Sequence, residues 1–198
     1  MIRVYELLDE ARSLLDEIEG ILKEEKPEEP PLQPPAISLP PLRNMAKEYG
    51  VDVRQVPDLE DLRYPYYRCI CVKHLTPEQN RSRHAVFVRV NDEYGNRIYD
   101  LSLRIGWTWE GRHPNQGAPP AKLDKPDGIL EMGHGNIDLY NGMVVSCWIE
   151  SADQSQVTVS DTVTGIHTNH PDERAAGGEI WNSIGHHSFL VVFQLVNP

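Results

Sequence analysis

Three cysteines in 198 residues, Cys69, Cys71 and Cys147, are too few for a disulfide framework. On a β-strand Cys69 and Cys71 share a face, so they are poor partners for one another, and three buried reduced thiols are expected. A C-x-C pair plus a third cysteine is also part of a zinc set, but no fourth ligand can be assigned to it. Basic residues are scarce too: 19 Lys and Arg against 30 Asp and Glu leave a net charge of -11. That balance argues against a nucleic-acid backbone or an anionic membrane surface as the main partner, because both are bound by clustered cations. No apolar run approaches the ~20 residues that cross a bilayer, so no membrane insertion is expected. The N-terminus lacks both a basic start and an unbroken apolar core, so it does not read as a secretory signal, and synthesis in the cytoplasm is expected. Also missing are a nucleophile elbow, a phosphate-cradling glycine loop, an H-E-x-x-H helix and a matched carboxylate pair. No catalytic residue and no cofactor is therefore assigned, and a non-enzymatic role is expected.

What is present begins with a helical seam. Val4, Leu8, Ala11, Leu15, Ile18 and Leu22 alternate in steps of four and three, which keeps one apolar stripe facing a partner helix. Leu7, Leu14 and Ile21 widen the stripe beyond what a two-stranded coil covers, so a homotrimer is favoured. The alternative is a helix that folds back on its own head. Pro27 ends the pattern near Lys26. Residues 27–43 carry seven prolines and predict a semi-rigid extended linker. Residues 44–66 read as an irregular connector, with a helical turn at Asn44 to Tyr49 closed by Gly50.

From residue 67 to 198 the pattern changes to short strands. Tyr67 to Lys73, His84 to Asn91, Gly135 to Leu139, Met143 to Ile149, Gln156 to Val163 and His187 to Val196 carry strand signals. The cleanest alternation runs from Tyr99 to Trp109, with Leu101, Leu103, Ile105 and Trp107 on its apolar face. Asp92 to Asn96 supplies turn chemistry between two of these runs, which predicts a hairpin. Strands at this spacing predict a mainly β protein, an Ig-like or prealbumin-like antiparallel β-sandwich head behind an N-terminal amphipathic helix.

The segment VFVRVNDEYGNRIYDLSLRIGW, residues 86–107, resembles the opening hairpin of prealbumin-like and carboxypeptidase-regulatory-like modules. GHGNIDLYNGMVVSCWI, residues 133–149, is similar to their later strand pair, with Met143 where an aromatic is usual. The resemblance covers about residues 84–150 and implies a sandwich fold used as a spacer, an adhesion unit or a carbohydrate-binding accessory. The layout of stalk, spacer and head also resembles phage fibre and capsid-decoration proteins.

The last part of the chain, GIHTNHPDERAAGGEIWNSIGHHSF, holds a concentration of possible ligands. His167, His170, His186 and His187, with Asp172 and Glu173, are able to converge on a metal or ligand, and His134 lies in the similar Gly-His-Gly context. The plainer alternative is that these histidines close loops and satisfy buried backbone groups. Trp107, Trp109, Trp148 and Trp181 are candidates for stacking on sugar rings. Alternation places Trp107 and Trp109 on the core side of their strand, which favours a core role for those two and leaves Trp181 the best exposed. Three functions are therefore in view. The first is a trimeric virion fibre or decoration protein working on the virion surface or in another extracellular assembly, with a capsid as its larger partner. The second is a carbohydrate-binding module for a surface glycan, with Trp181 and the loops at 111–128 and 165–187 as its site. The third is a metal-dependent enzyme using the histidine-rich loops.

Overall fold

The computed structural model describes residues 12–17, 19, 39–56, 64–99, 102–125, 135–153 and 155–197. The chain divides into two units, Met1–Ile37 and Ser38–Pro198. In the first, residues 12–17 are helical and Leu14 and Leu15 are 57% and 63% exposed. The seam positions Val4, Leu8, Ala11, Ile18 and Leu22 lie outside the described residues, as does the proline-rich linker up to Ser38.

Among the described residues the second unit has thirteen strands. They are β1 (Arg43–Asn44), β2 (Asp52–Arg54), β3 (Tyr66–His74), β4 (Ala85–Asn91), β5 (Leu103–Trp109), β6 (Ala121–Lys122), β7 (Gly135–Asp138), β8 (Val145–Ser151), β9 (Val159–Ser160), β10 (Thr162–Ile166), β11 (Glu173–Arg174), β12 (Ile180–Asn182) and β13 (Phe189–Val196). One sheet runs β1-β3-β13-β4-β7, with β9 alongside β3; the second runs β2-β10-β8-β5-β6; β11 and β12 form a separate ribbon. Val86, Val88, Val90, Val191 and Phe193 of the first sheet and Ile105, Val145, Cys147, Ile149 and Val163 of the second share one buried core. The head is thus a mainly β, sandwich-like structure, as its alternating pattern predicts.

The second sheet is antiparallel throughout, as expected, but the first is mixed. β13 pairs parallel with β4, and β1 and β9 pair parallel with β3. A parallel neighbour needs a long crossover, and the chain between Asn91 and Phe189 supplies it by building β5, β6, β8 and β10 of the second sheet and the β11–β12 ribbon on the way. The hairpin expected across Asp92 to Asn96 also opens out. Asp92 accepts from the N–H of Tyr94 and of Asn96 at 2.9 and 2.8 Å, and Ile98 N–H reaches Val90 O at 3.1 Å, so the turn itself forms. Beyond it the chain leaves the first sheet, and β5 pairs with β8 in the second. Tyr99 lies before that strand and is half exposed.

A bulge in β3 decides which side chains face the core. Cys69 pairs with Phe193 and Cys71 with Val192, so Ile70 is an extra residue. Tyr67 and Cys69 point inward on one side of it, and Val72 continues the core on the other. The expectation that Cys69 and Cys71 share a face is therefore corrected: Cys69 is fully buried and Cys71 only half-buried. The same bulge brings His74 to the buried side, opposite Phe189.

Candidate metal centre

Three distant segments meet at the end of β3. His74 is its last residue, His187 stands two residues before β13 and Glu173 opens β11. Each offers one ligand atom, and these atoms all lie within 4.8 Å of one another. Among the described residues this is the one grouping of three or more His, Cys, Asp and Glu side chains with metal-binding spacing. His187 is fully buried and His74 nearly so. Their rings meet edge to edge, with His74 Nε2 2.8 Å from His187 Nδ1. Neutral imidazoles hold that distance only with a proton between the two nitrogens.

Glu173 is held from two sides. Tyr49 Oη donates to its Oε1 at 2.9 Å, and Asn182 Nδ2 donates to its Oε2 at 2.8 Å. Asn182, which pairs with Glu173 across the β11–β12 ribbon, also donates to Leu75 O at 3.0 Å and so ties the ribbon to the end of β3. The Tyr49 ring stacks on His74 with centroids 3.8 Å apart and planes 17° from parallel. Tyr49 ends a 3-10 turn, Lys47–Tyr49, closed by Gly50 at φ 79°. β10 presses against that turn: a Cβ on Gly165 would stand 2.4 Å from Gly50 O, so only glycine allows the approach.

His170 lies beside the group, its ring centroid 5.3 Å from His187 and 6.2 Å from His74. His167 stacks on it at 4.1 Å. His170 Nε2 and His187 Nε2 are both buried without a hydrogen-bond partner. Buried orphans of this kind call for an explanation, and an ion is one of the standard ones.

The electrostatics favour neutral rings beside a charged carboxylate. Burial pushes His74 down to about 4, with Glu173 opposing and His187 and His170 adding to the shift. His170 is lowered to about 4 by burial and then by His167 and His187. His187 is lowered by burial, against the pull of Glu173, the Pro171 carbonyl and Asp172. Burial alone would raise Glu173, but the hydrogen bonds from Asn182 and Tyr49 and the neighbouring His74 and His187 hold it below its ordinary value. Tyr49 is raised to about 12 by burial and by Glu173. Neutral imidazole and ionised carboxylate are the forms that ligate metals.

This donor set fits a first-row transition ion. Two ligand nitrogens at ~2.0–2.1 Å from a tetrahedral zinc stand about 3.3 Å apart, so an ion replacing the shared proton asks the rings to part by only about half an ångström. The hydrogen bonds that orient Glu173 are the outer support such ligands require. The cysteines do not offer a comparable site. Burial, followed by Cys147 and Asp161, raises the Cys69 thiol, and burial raises Cys147 to about 12.

Of the residues singled out in the sequence, the structure brings His187 and Glu173 together and sets His170 and His167 beside them. His134 lies outside the described residues. His186 is exposed, its ring 5.8 Å from that of His84. Trp181 lies on β12, half-buried, with the Arg81 guanidinium 5.9 Å from its ring centroid. Sequence reasoning missed His74, Tyr49 and Asn182. His74 closes a strand whose alternation, counted without the bulge, turns it outward.

No protein-family model, curated protein or solved structure matches the chain. The likeness of residues 84–150 to prealbumin-like modules therefore rests on the two motifs themselves.

Proposed function

We propose that the protein is a non-enzymatic assembly or adhesion protein whose β head is stapled by one zinc-like ion. The observation that carries the metal reading is the convergence of His74, His187 and Glu173, with Glu173 already oriented by Tyr49 and Asn182. His170, whose buried Nε2 has no hydrogen-bond partner, lies beside these three but outside their spacing, and its ring would have to move toward them to complete a closed four-ligand site. The ligands come from three separate segments, so an ion there ties residues 165–187 to the end of the first sheet. Its binding energy then becomes folding energy.

The exposure of Leu14 and Leu15 in the single chain supports the other half of the reading. Two adjacent leucines in water on a helix favour burial against further copies of it, and the widened seam favours three copies. A head carried on a trimeric stalk suits a virion fibre or decoration protein, in which multivalency raises weak surface binding.

Native mass spectrometry of the full chain after exposure to zinc, paired with a thermal melt before and after chelation, tests both halves. One zinc per chain in a homotrimer, with the melting temperature falling on chelation, is expected. A metal-free protein whose melt ignores the chelator contradicts the staple, and a monomer contradicts the stalk. A bound ion whose removal leaves the melt unchanged favours the enzyme reading instead.

A further inference from the structure

A second site lies where the edges of the two sheets approach each other. Trp107 of β5 and Ala121 of β6 form one wall of a groove of about 310 Å³, and Asn136, Ile137 and Asp138 of β7 form the other, with Tyr140 at its rim and Pro119 completing it. We propose that this groove binds a pyranose sugar.

The argument begins with the rings. Trp107 lies on the core-facing side of β5, as its alternation predicts, but near the open edge of the sandwich it packs only partly against the core. Its Nε1 donates to Pro119 O at 3.0 Å and its ring sits 5.4 Å from that of Trp109, so its orientation is set before any ligand arrives. Tyr140 is 59% exposed. The adjoining Leu139 is fixed, because its N–H donates to His84 O at 2.7 Å and its carbonyl accepts from His84 Nδ1 at 2.6 Å. Flat apolar faces held in place suit the C–H face of a sugar ring, as they suit other apolar plates.

The polar groups then select among ligands. Asn136 Nδ2 donates to Asp138 Oδ1 at 3.0 Å, which leaves Asn136 Oδ1 buried in the groove wall without a donor. Beside it stands the exposed Asp138 carboxylate, which accepts only. The groove thus sets two rings beside one amide oxygen that lacks a donor and a carboxylate that can accept more than the one bond it has from Asn136. A polyol supplies hydroxyl donors to the acceptors and a ring face to the aromatics at once. The volume lies at the small end of ligand clefts, ~300–1,000 Å³, and suits one or two sugar rings. None of these residues belongs to the metal centre, so this inference stands or falls apart from it.

Saturation-transfer NMR on the full chain, with the methyl glycosides of glucose, galactose, mannose and N-acetylglucosamine as probes, tests the proposal. Transfer to the ring protons of at least one glycoside is expected. Tyr140→Ala, an exposed substitution that spares the core, should weaken it by ~10-fold, as should Asn136→Leu. No transfer to any of the four overturns the proposal. So does transfer that survives both substitutions, or binding of tetramethylammonium in place of every glycoside, which would make the groove a cation site.

Discussion

His74 Nε2 and His187 Nδ1 stand 2.8 Å apart although their residues are separated by 113 positions in the chain. A proton or a metal ion can bridge them, and Glu173 within reach of both favours the ion. Tyr49 and Asn182 hydrogen-bond to Glu173, one at each oxygen, and Tyr49 also stacks on His74. Tyr49→Phe and Asn182→Ala should therefore each lower zinc affinity by ~10–100-fold, read by competition with a chromophoric chelator. Affinities equal to the parent's would remove Glu173 from the ligand set.

The metal-free protein should lose stability as the solution is acidified. His74 and His170 are both pushed from 6.5 to about 4 in the fold, so the unfolded chain binds more protons than the folded one in that interval. Their stabilising contribution is complete above pH 6.5 and is lost as pH falls toward about 4. Urea midpoints measured in the presence of EDTA should fall across that window. A double variant, His74→Gln with His170→Gln, should flatten the fall. An equal slope in parent and variant would contradict the assignment.

Asp161 ties three segments of the head together. It is fully buried and accepts from Tyr66 Oη, from Cys69 N–H at 2.9 Å and from Val56 N–H at 3.1 Å. These bonds join the loop after β2 and the strand β3 to the junction of β9 and β10. Asp161→Ala leaves buried donors without acceptors, at ~1–3 kcal/mol each, so a loss of ~3 kcal/mol or more in chemical denaturation is expected. Asp161→Asn keeps one acceptor but turns a donor toward N–H groups, and should be destabilising as well.

Gly165 packs directly against the Gly50 that closes the Tyr49 turn. It has φ 76°, and any Cβ there would collide with Gly50 O. Gly165→Ala should push the Lys47–Tyr49 turn off β10, unstack Tyr49 from His74 and weaken zinc binding even though residue 165 touches no ligand. Unchanged affinity in a folded Gly165→Ala protein would show that the turn does not position the site.

The strands were legible because burial on one face imposes a period of two, and Leu103, Ile105 and Trp107 display it without interruption. Glu173, His170 and His187 were legible as chemistry, since imidazoles and carboxylates close in sequence suggest a common site. What could not be read were long-range facts. One extra residue, Ile70, inverts the alternation of β3 and turns His74 inward, and no local pattern marks it. The parallel pairing of β13 with β4 depends on a crossover of nearly a hundred residues, and local periodicity carries no record of it. Trp107 was read correctly as core-facing, but whether a core-facing ring is covered depends on where the sheet edge falls. Tyr49 and Asn182 carry no metal-ligand signature and matter only through the carboxylate they hold.

The most direct test of the metal centre is a crystal structure of the zinc-treated protein with data collected on both sides of the zinc absorption edge. The account predicts one anomalous peak per chain, within bonding distance of nitrogens of His74 and His187 and a carboxylate oxygen of Glu173, with the two rings farther apart than 2.8 Å. A folded head with no peak there, and with the two nitrogens still in hydrogen-bond contact, would contradict it.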